Sequence, residues 1–140
     1  MYVHNQHYSL SQDQDIIIFI GNGVWKPELS KECIESINDF VSQQKNEDFA
    51  LIVDTSNVKS ITPQCFLAWE TALEVWAAQG LKATARIDKP EAGFYKIFLA
   101  GFDDILRMRS RFYSASSESF ALKALHNSGF AGFTNVEKID

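Results

Sequence analysis

Cysteine, histidine and proline are scarce in this 140-residue chain, with two, three and three residues respectively. Cys33 and Cys65 lack the Cys-x-x-Cys spacing of a redox or zinc site. Both fall inside apolar helical patterns and read as free buried thiols in a reducing compartment. His4 and His7 stand three apart, and on a strand they would point to opposite faces, which suits no single metal. His126 falls late in the last helical pattern, where a cation suits the helix dipole. No metal and no cofactor are expected. Apolar runs reach only five residues, Ile16–Ile20, against about 18 for a membrane span. Met1–His7 lacks the basic and apolar regions of a signal peptide. The expectation is therefore a cytoplasmic protein without membrane insertion. Basic residues are outnumbered 18 to 13, a net charge of −5, which argues against nucleic acid and against anionic membranes as partners.

Bulky apolar material is present instead. Hydrophobic residues make up 46%, including 11 Phe, 4 Tyr and 3 Trp, enough for the core of one α/β domain over residues 1–140. The pattern opens with a weak strand over Tyr2–Leu10 and a turn over Gln12–Asp15. The β-branched strand Ile16–Ile20 follows, and Gly21-Asn22-Gly23 is expected to break it. Lys26-Pro27-Glu28 opens a helix with an apolar stripe of Cys33, Ile34, Ile37, Phe40 and Val41. Phe49–Asp54 reads as a second buried strand, with a loop over 55–61. Thr62 is expected to cap the next helix, with Pro63 in its first position. Cys65, Phe66, Trp69, Ala72, Leu73 and Trp76 form that helix's inner side.

Three glycine–apolar pairs, Gly80-Leu81, Gly101-Phe102 and Gly129-Phe130, read as helix stops. Between them lie a strand over Lys82–Ile87, a helix over Pro90–Ala100, a strand within Arg107–Tyr113 and a helix over Ser116–Ser128 capped by Ser116 or Ser117. Residues 103–108 fit helix and strand equally. The order β-β-α-β-α-β-α-β-α implies a mostly parallel sheet of about five strands with an antiparallel N-terminal edge and about four helices.

Candidate chemistry is sparse. Gly21-Asn22-Gly23 lacks the further glycines and the lysine of a phosphate loop. Cys65 near a helix start is a formal nucleophile, but its neighbours are apolar. Asp54 ends a strand, where ligands of α/β sheets bind, and with Ser56 and Thr62 it forms a candidate polar surface. Arg107, Arg109 and Arg111 alternate; on a strand they would share one face and could hold an anion, or simply protect a sheet edge. Phe66, Trp69 and Trp76, with Phe94 and Phe98 of the 90–100 helix, either cover the sheet or line an apolar pocket.

The run Phe49-Ala50-Leu51-Ile52-Val53-Asp54-Thr55-Ser56-Asn57-Val58, followed by Ile61-Thr62-Pro63, resembles the STAS superfamily. This group contains the anti-sigma-factor antagonists and the cytoplasmic domains of sulfate transporters. Gly23–Leu29 is similar to the family's first crossover, and Arg111–Leu125 to its last strand and helix. The resemblance implies a regulatory protein-binding fold of bacterial type. It departs at one point. Antagonists carry a phosphorylated Ser or Thr at the start of the helix after the central strand, and here that register falls on Gln64, which cannot be phosphorylated. Ser56, Ser60 and Thr62 are the nearby hydroxyls.

The expectation is a non-catalytic regulatory module that binds another protein or itself, with a homodimer as one form. Asp54, Ser56, Thr62, Gln64 and Glu70 are the candidate contact residues. The alternatives are a carrier or sensor of an apolar, lipid-like small molecule, and a small enzyme using Asp54, Ser56 or Cys65.

Overall fold

A computed structural model describes residues 2–44, 47–87 and 96–134, with backbone alone for 96–100. The first strands are β1 (Tyr2–His4), β2 (Tyr8–Asp13) and β3 (Ile16–Trp25). They form an antiparallel meander. The chain then alternates helix and strand: α1 (Pro27–Ser42), β4 (Phe49–Ile61), α2 (Gln64–Ala78), β5 (Leu81–Ile87), α3 (Lys96–Arg109), β6 (Arg111–Ala115) and α4 (Glu118–Asn127). Strands β3 to β6 pair in parallel, and the sheet order follows the chain order from β1 to β6.

The expected α/β architecture is present, with a sixth strand. What read as one strand over Tyr2–Leu10 is two, because Asn5 folds the chain between them. Its Oδ1 accepts hydrogen bonds from the amides of His7 and Tyr8 at 2.8 and 3.0 Å, the turn chemistry that asparagine favours. The next turn is tighter than expected. Asp13 faces Ile16, leaving only Gln14 and Asp15 to turn, with Gln14 at φ 51°.

Gly21-Asn22-Gly23 does not end β3. The strand passes through it with register shifts on either side of the Asn22–Gly23 pair and Gly23 at φ 76°, a conformation glycine adopts without steric cost. The expected 55–61 loop is likewise strand. Beyond Thr55, whose hydroxyl donates to the Ile87 carbonyl at 3.1 Å, β4 continues alongside Asn22–Trp25.

The two faces of the sheet are covered differently. Side chains alternate along each strand, so Leu51 and Val53 face α1, α2 and α3, while Ala50 and Ile52 face α4. The three-helix side holds the larger core. At its centre Trp69 meets Phe19, Trp25, Trp76 and Phe102 with ring centroids 5.6–6.3 Å apart. The buried Trp76 and Trp69 each find a partner for the indole N–H: Trp76 donates to Asn38 Oδ1 at 2.6 Å and Trp69 to Ser30 Oγ at 3.1 Å, which ties α2 to α1. Cys33 and Cys65 are both fully buried.

Two glycine stops form as expected. Gly80 and Gly129 take φ 124° and 102°, and the Phe130 amide returns to the Leu125 carbonyl at 3.1 Å. The third does not. Gly101 lies inside α3 without positive φ, and Phe102, Ile105 and Leu106 continue the buried side of the helix. Residues 103–108 are therefore helix. The start expected at Pro90 lies outside the described residues. No described helix is long and apolar enough to cross a membrane.

Candidate functional site

Helix α2 begins where β4 leaves the sheet, and this corner carries Thr62 and Gln64 of the candidate contact residues. Thr62 is not the cap. The helix starts at Gln64 with Pro63 in the capping position, and no side chain caps it. The Thr62 hydroxyl lies 3.3 Å from Cys65 Sγ. Gln64 is exposed and Glu70 half-buried on the same helix.

Asp54 and Ser56 sit differently. Asp54 pairs with Ile20 on one side and Ile87 on the other, which places it on the α4 face with Ala50 and Ile52. Its Oδ1 accepts from the Ser56 amide at 2.9 Å. Its charge is felt by Glu118, in the first turn of α4. Partial desolvation of that carboxyl, then the charge of Asp54, raises the Glu118 pKa. The five candidate residues thus divide between Asp54 and Ser56 within β4 and Thr62, Gln64 and Glu70 at the start of α2 and along it.

The arginine row does not form. Helix α3 runs through Arg109, so Arg107 and Arg109 lie on a helix and only Arg111 on β6. Each has its own neighbour. Arg107 Nη1 lies 3.4 Å from Asp104 Oδ1, and its guanidinium sits 4.9 Å over the Phe112 ring. Arg109 pairs with Glu74 at 3.5 Å. Arg111 approaches Tyr113, whose pKa is lowered first by the Ser128 hydroxyl and then by this arginine.

Of the aromatic set, Trp69 and Trp76 are closed into the core, and Phe66 packs half-buried with its ring 6.4 Å from that of Phe102. Phe94 and the side chain of Phe98 lie outside the described residues. Burial, reinforced by the Glu32 charge, pushes the Cys33 thiol pKa well up, so this sulfur is held neutral and unreactive. Among the described residues, no group of three His, Cys, Asp or Glu side chains is placed to hold a metal.

Two features were missed from sequence. Arg86, next to last in β5 and 6% exposed, forms a two-point ion pair with Asp103 of α3, Nη2 to Oδ2 being 2.8 Å. Alternation with the apolar Ala85 and Ile87 was the available signal, because an arginine inside such a strand needs a partner. The second is an open groove of about 460 Å³ between α1 and α2, lined by Ile34, Leu67, Ala68, Ala72 and Val75 with polar ends. Leu67 is 71% exposed and Val75 48%. Their spacing of eight, with Thr71 between, was readable as a second apolar stripe.

No family model matches the sequence, and no curated protein matches it. Solved structures do. An uncharacterised Shewanella loihica protein of the DUF3478 family, with a SpoIIAA-like fold, superposes with a TM-score of 0.59 at 16% identity, over 88% of this chain and 98% of that one. An anti-sigma factor antagonist from Mycobacterium paratuberculosis gives 0.60 at 15% identity, over 85% and 92%. The anti-sigma factor antagonist SpoIIAA in its unphosphorylated form gives 0.55 at 12% identity, over 86% and 96%. The chain therefore has the SpoIIAA-like fold that the strand–loop–helix resemblance implied.

Proposed function

We propose that the chain is a non-catalytic regulatory module that captures a protein partner at the corner where β4 gives way to α2. The observation that carries this reading is the exposed outer side of α2. Gln64 and Leu67 stand open in its first turn, where the family resemblance places the phosphorylated Ser or Thr of antagonists. Gln64 occupies that register and accepts no phosphate, so the partner is held without that switch. A cytoplasmic setting suits two free, buried thiols.

Two of the three candidate catalytic side chains are otherwise engaged. Cys65 is fully buried with its Sγ 3.8 Å from the Trp25 carbonyl oxygen, and Asp54 accepts from the Ser56 amide of its own strand. The carrier reading loses two of its walls, because Trp69 and Trp76 are spent on core packing.

A photo-crosslinking residue placed at position 64 tests the proposal in cells of the source organism. Crosslinks from that position to one recurring protein, and none from the same residue placed at Ser9 on the remote meander, are expected. Equal or absent crosslinking at the two positions would overturn it.

A further inference from the structure

The groove between α1 and α2 has a floor and a rim of opposite character. Its floor is apolar, with Ile34 on one wall and Leu67, Ala68, Ala72 and Val75 on the other, and Lys31, Asn38, Gln64 and Thr71 complete the lining. Beyond that lining, whose one charged residue is Lys31, the surrounding helix surface is acidic. Helix α1 carries Glu28, Glu32, Glu35 and Asp39 against the single Lys31, and every one of these is exposed. Helix α2 carries Glu70 and Glu74 and no basic residue. Only Glu74 among these acids has a described ion pair, with Arg109. The two-helix layer thus concentrates the negative charge of a chain whose net charge is −5.

We infer that this groove receives an amphipathic helix of the partner, with apolar anchors on one face and lysine or arginine on its flanks. Length and chemistry both fit. From Gln64 to Val75 the helix rises roughly 17 Å, or about three turns, which matches a partner helix presenting anchors at i, i+4 and i+7. Anchors would fill the space beside Leu67 and Val75, while basic flanks would meet the α1 carboxylates. A second copy of this chain is the poorer occupant, because it would set one acidic rim against another. This occupant presupposes the partner-capture reading and adds where and by what kind of element the partner is held.

The probe is a synthetic helical peptide of about three to five turns with leucine on one face and lysine on the other. Its counterpart has glutamate in place of lysine. In nitrogen-edited NMR spectra, the basic peptide should shift the amides of Ile34, Leu67, Thr71 and Val75, and added salt should weaken it. The acidic peptide should leave these amides in place. Leu67→Asp, at an exposed position that leaves folding intact, should weaken the basic peptide at least about tenfold.

Shifts elsewhere, equal binding of the two peptides, or a concentration-dependent dimer through the same residues would overturn the inference. The native partner separates it from the broader reading. If that partner binds Leu67→Asp, Val75→Asp normally yet loses Glu70→Lys, which lies outside the groove lining, the groove is refuted and partner capture stands. If no partner binds the wild-type chain, partner capture fails and this inference fails with it, whatever the peptide does.

Discussion

The Asp15 carboxylate accepts hydrogen bonds from the Gly132 and Ala131 amides, at 2.8 and 2.9 Å to Oδ1, across more than a hundred residues of sequence. Asp13 Oδ2 takes the Phe133 amide at 2.7 Å. His126 and the Gly132 carbonyl add a contact at 2.8 Å. The segment after α4 is thereby pinned to the β2–β3 turn, and Phe130 and Phe133 close over the smaller core. Two aspartates, Asp13 at the end of β2 and Asp15 in the turn, thus do what no local pattern signals.

Asp15→Ala should lower unfolding stability by about 1–2 kcal/mol, the worth of hydrogen bonds to a charged group on a partly exposed site. Gly132→Ala should free the same segment, since a Cβ there would overlap the Asp13 carbonyl oxygen and press on Ile16. Urea titration measures the loss. Hydrogen exchange should speed at residues 131–133 in both variants.

Asp103→Ala should cost about 3 kcal/mol. Removing one member of a buried ion pair strands the other, and the Asp103 side chain keeps 13% exposure, which places the cost at the low end of that class. Arg86→Met with Asp103→Leu should recover most of it, because the desolvated charges leave together. Thermal melts of the three proteins decide this.

Cys33 should resist Ellman's reagent in the folded protein and react on unfolding. Its folded pKa lies above the unfolded one, with burial as the first cause and Glu32 the second. The stability it contributes is therefore complete below about pH 8.5, the unfolded value, and is lost as pH rises beyond it. A Cys33→Ala variant should show a shallower alkaline decline in stability than the wild type.

Glu118 should titrate above the ordinary glutamate value, because desolvation and then Asp54 both favour its neutral form. Asp54→Asn should lower its pKa without restoring the model-peptide value of about 4.3, since the desolvation remains. Carbon-detected NMR titration of the side-chain carboxyls reads both.

Much of this fold was legible. Ile16–Ile20 and Phe49–Val53 are dense β-branched or apolar runs, and the stripes of α1 and α2 repeat at helical spacing. The illegible parts share one cause, which is tertiary context overriding local punctuation. Gly21 to Gly23 stays in β3 because β4 runs on beside it. Thr55 to Ser60, polar enough to read as a loop, are strand for the same reason. Gly101 fails to stop α3 because Phe102, Ile105 and Leu106 all gain burial by continuing. At the candidate site, the polar residues were visible by type. Their division between the α4 face and α2 was not, because it depends on the pleat at Asp54 and the late start of α2.

The central claim is that a protein partner is held at the β4–α2 corner. Calorimetric titration of the crosslinked partner, once purified, into wild-type chain and into Gln64→Arg, Glu70→Lys tests it most directly. The expected result is saturable binding to the wild type, weakened at least about tenfold, or 1.4 kcal/mol, in a variant whose melting temperature is unchanged. Equal affinities for the two proteins would contradict it.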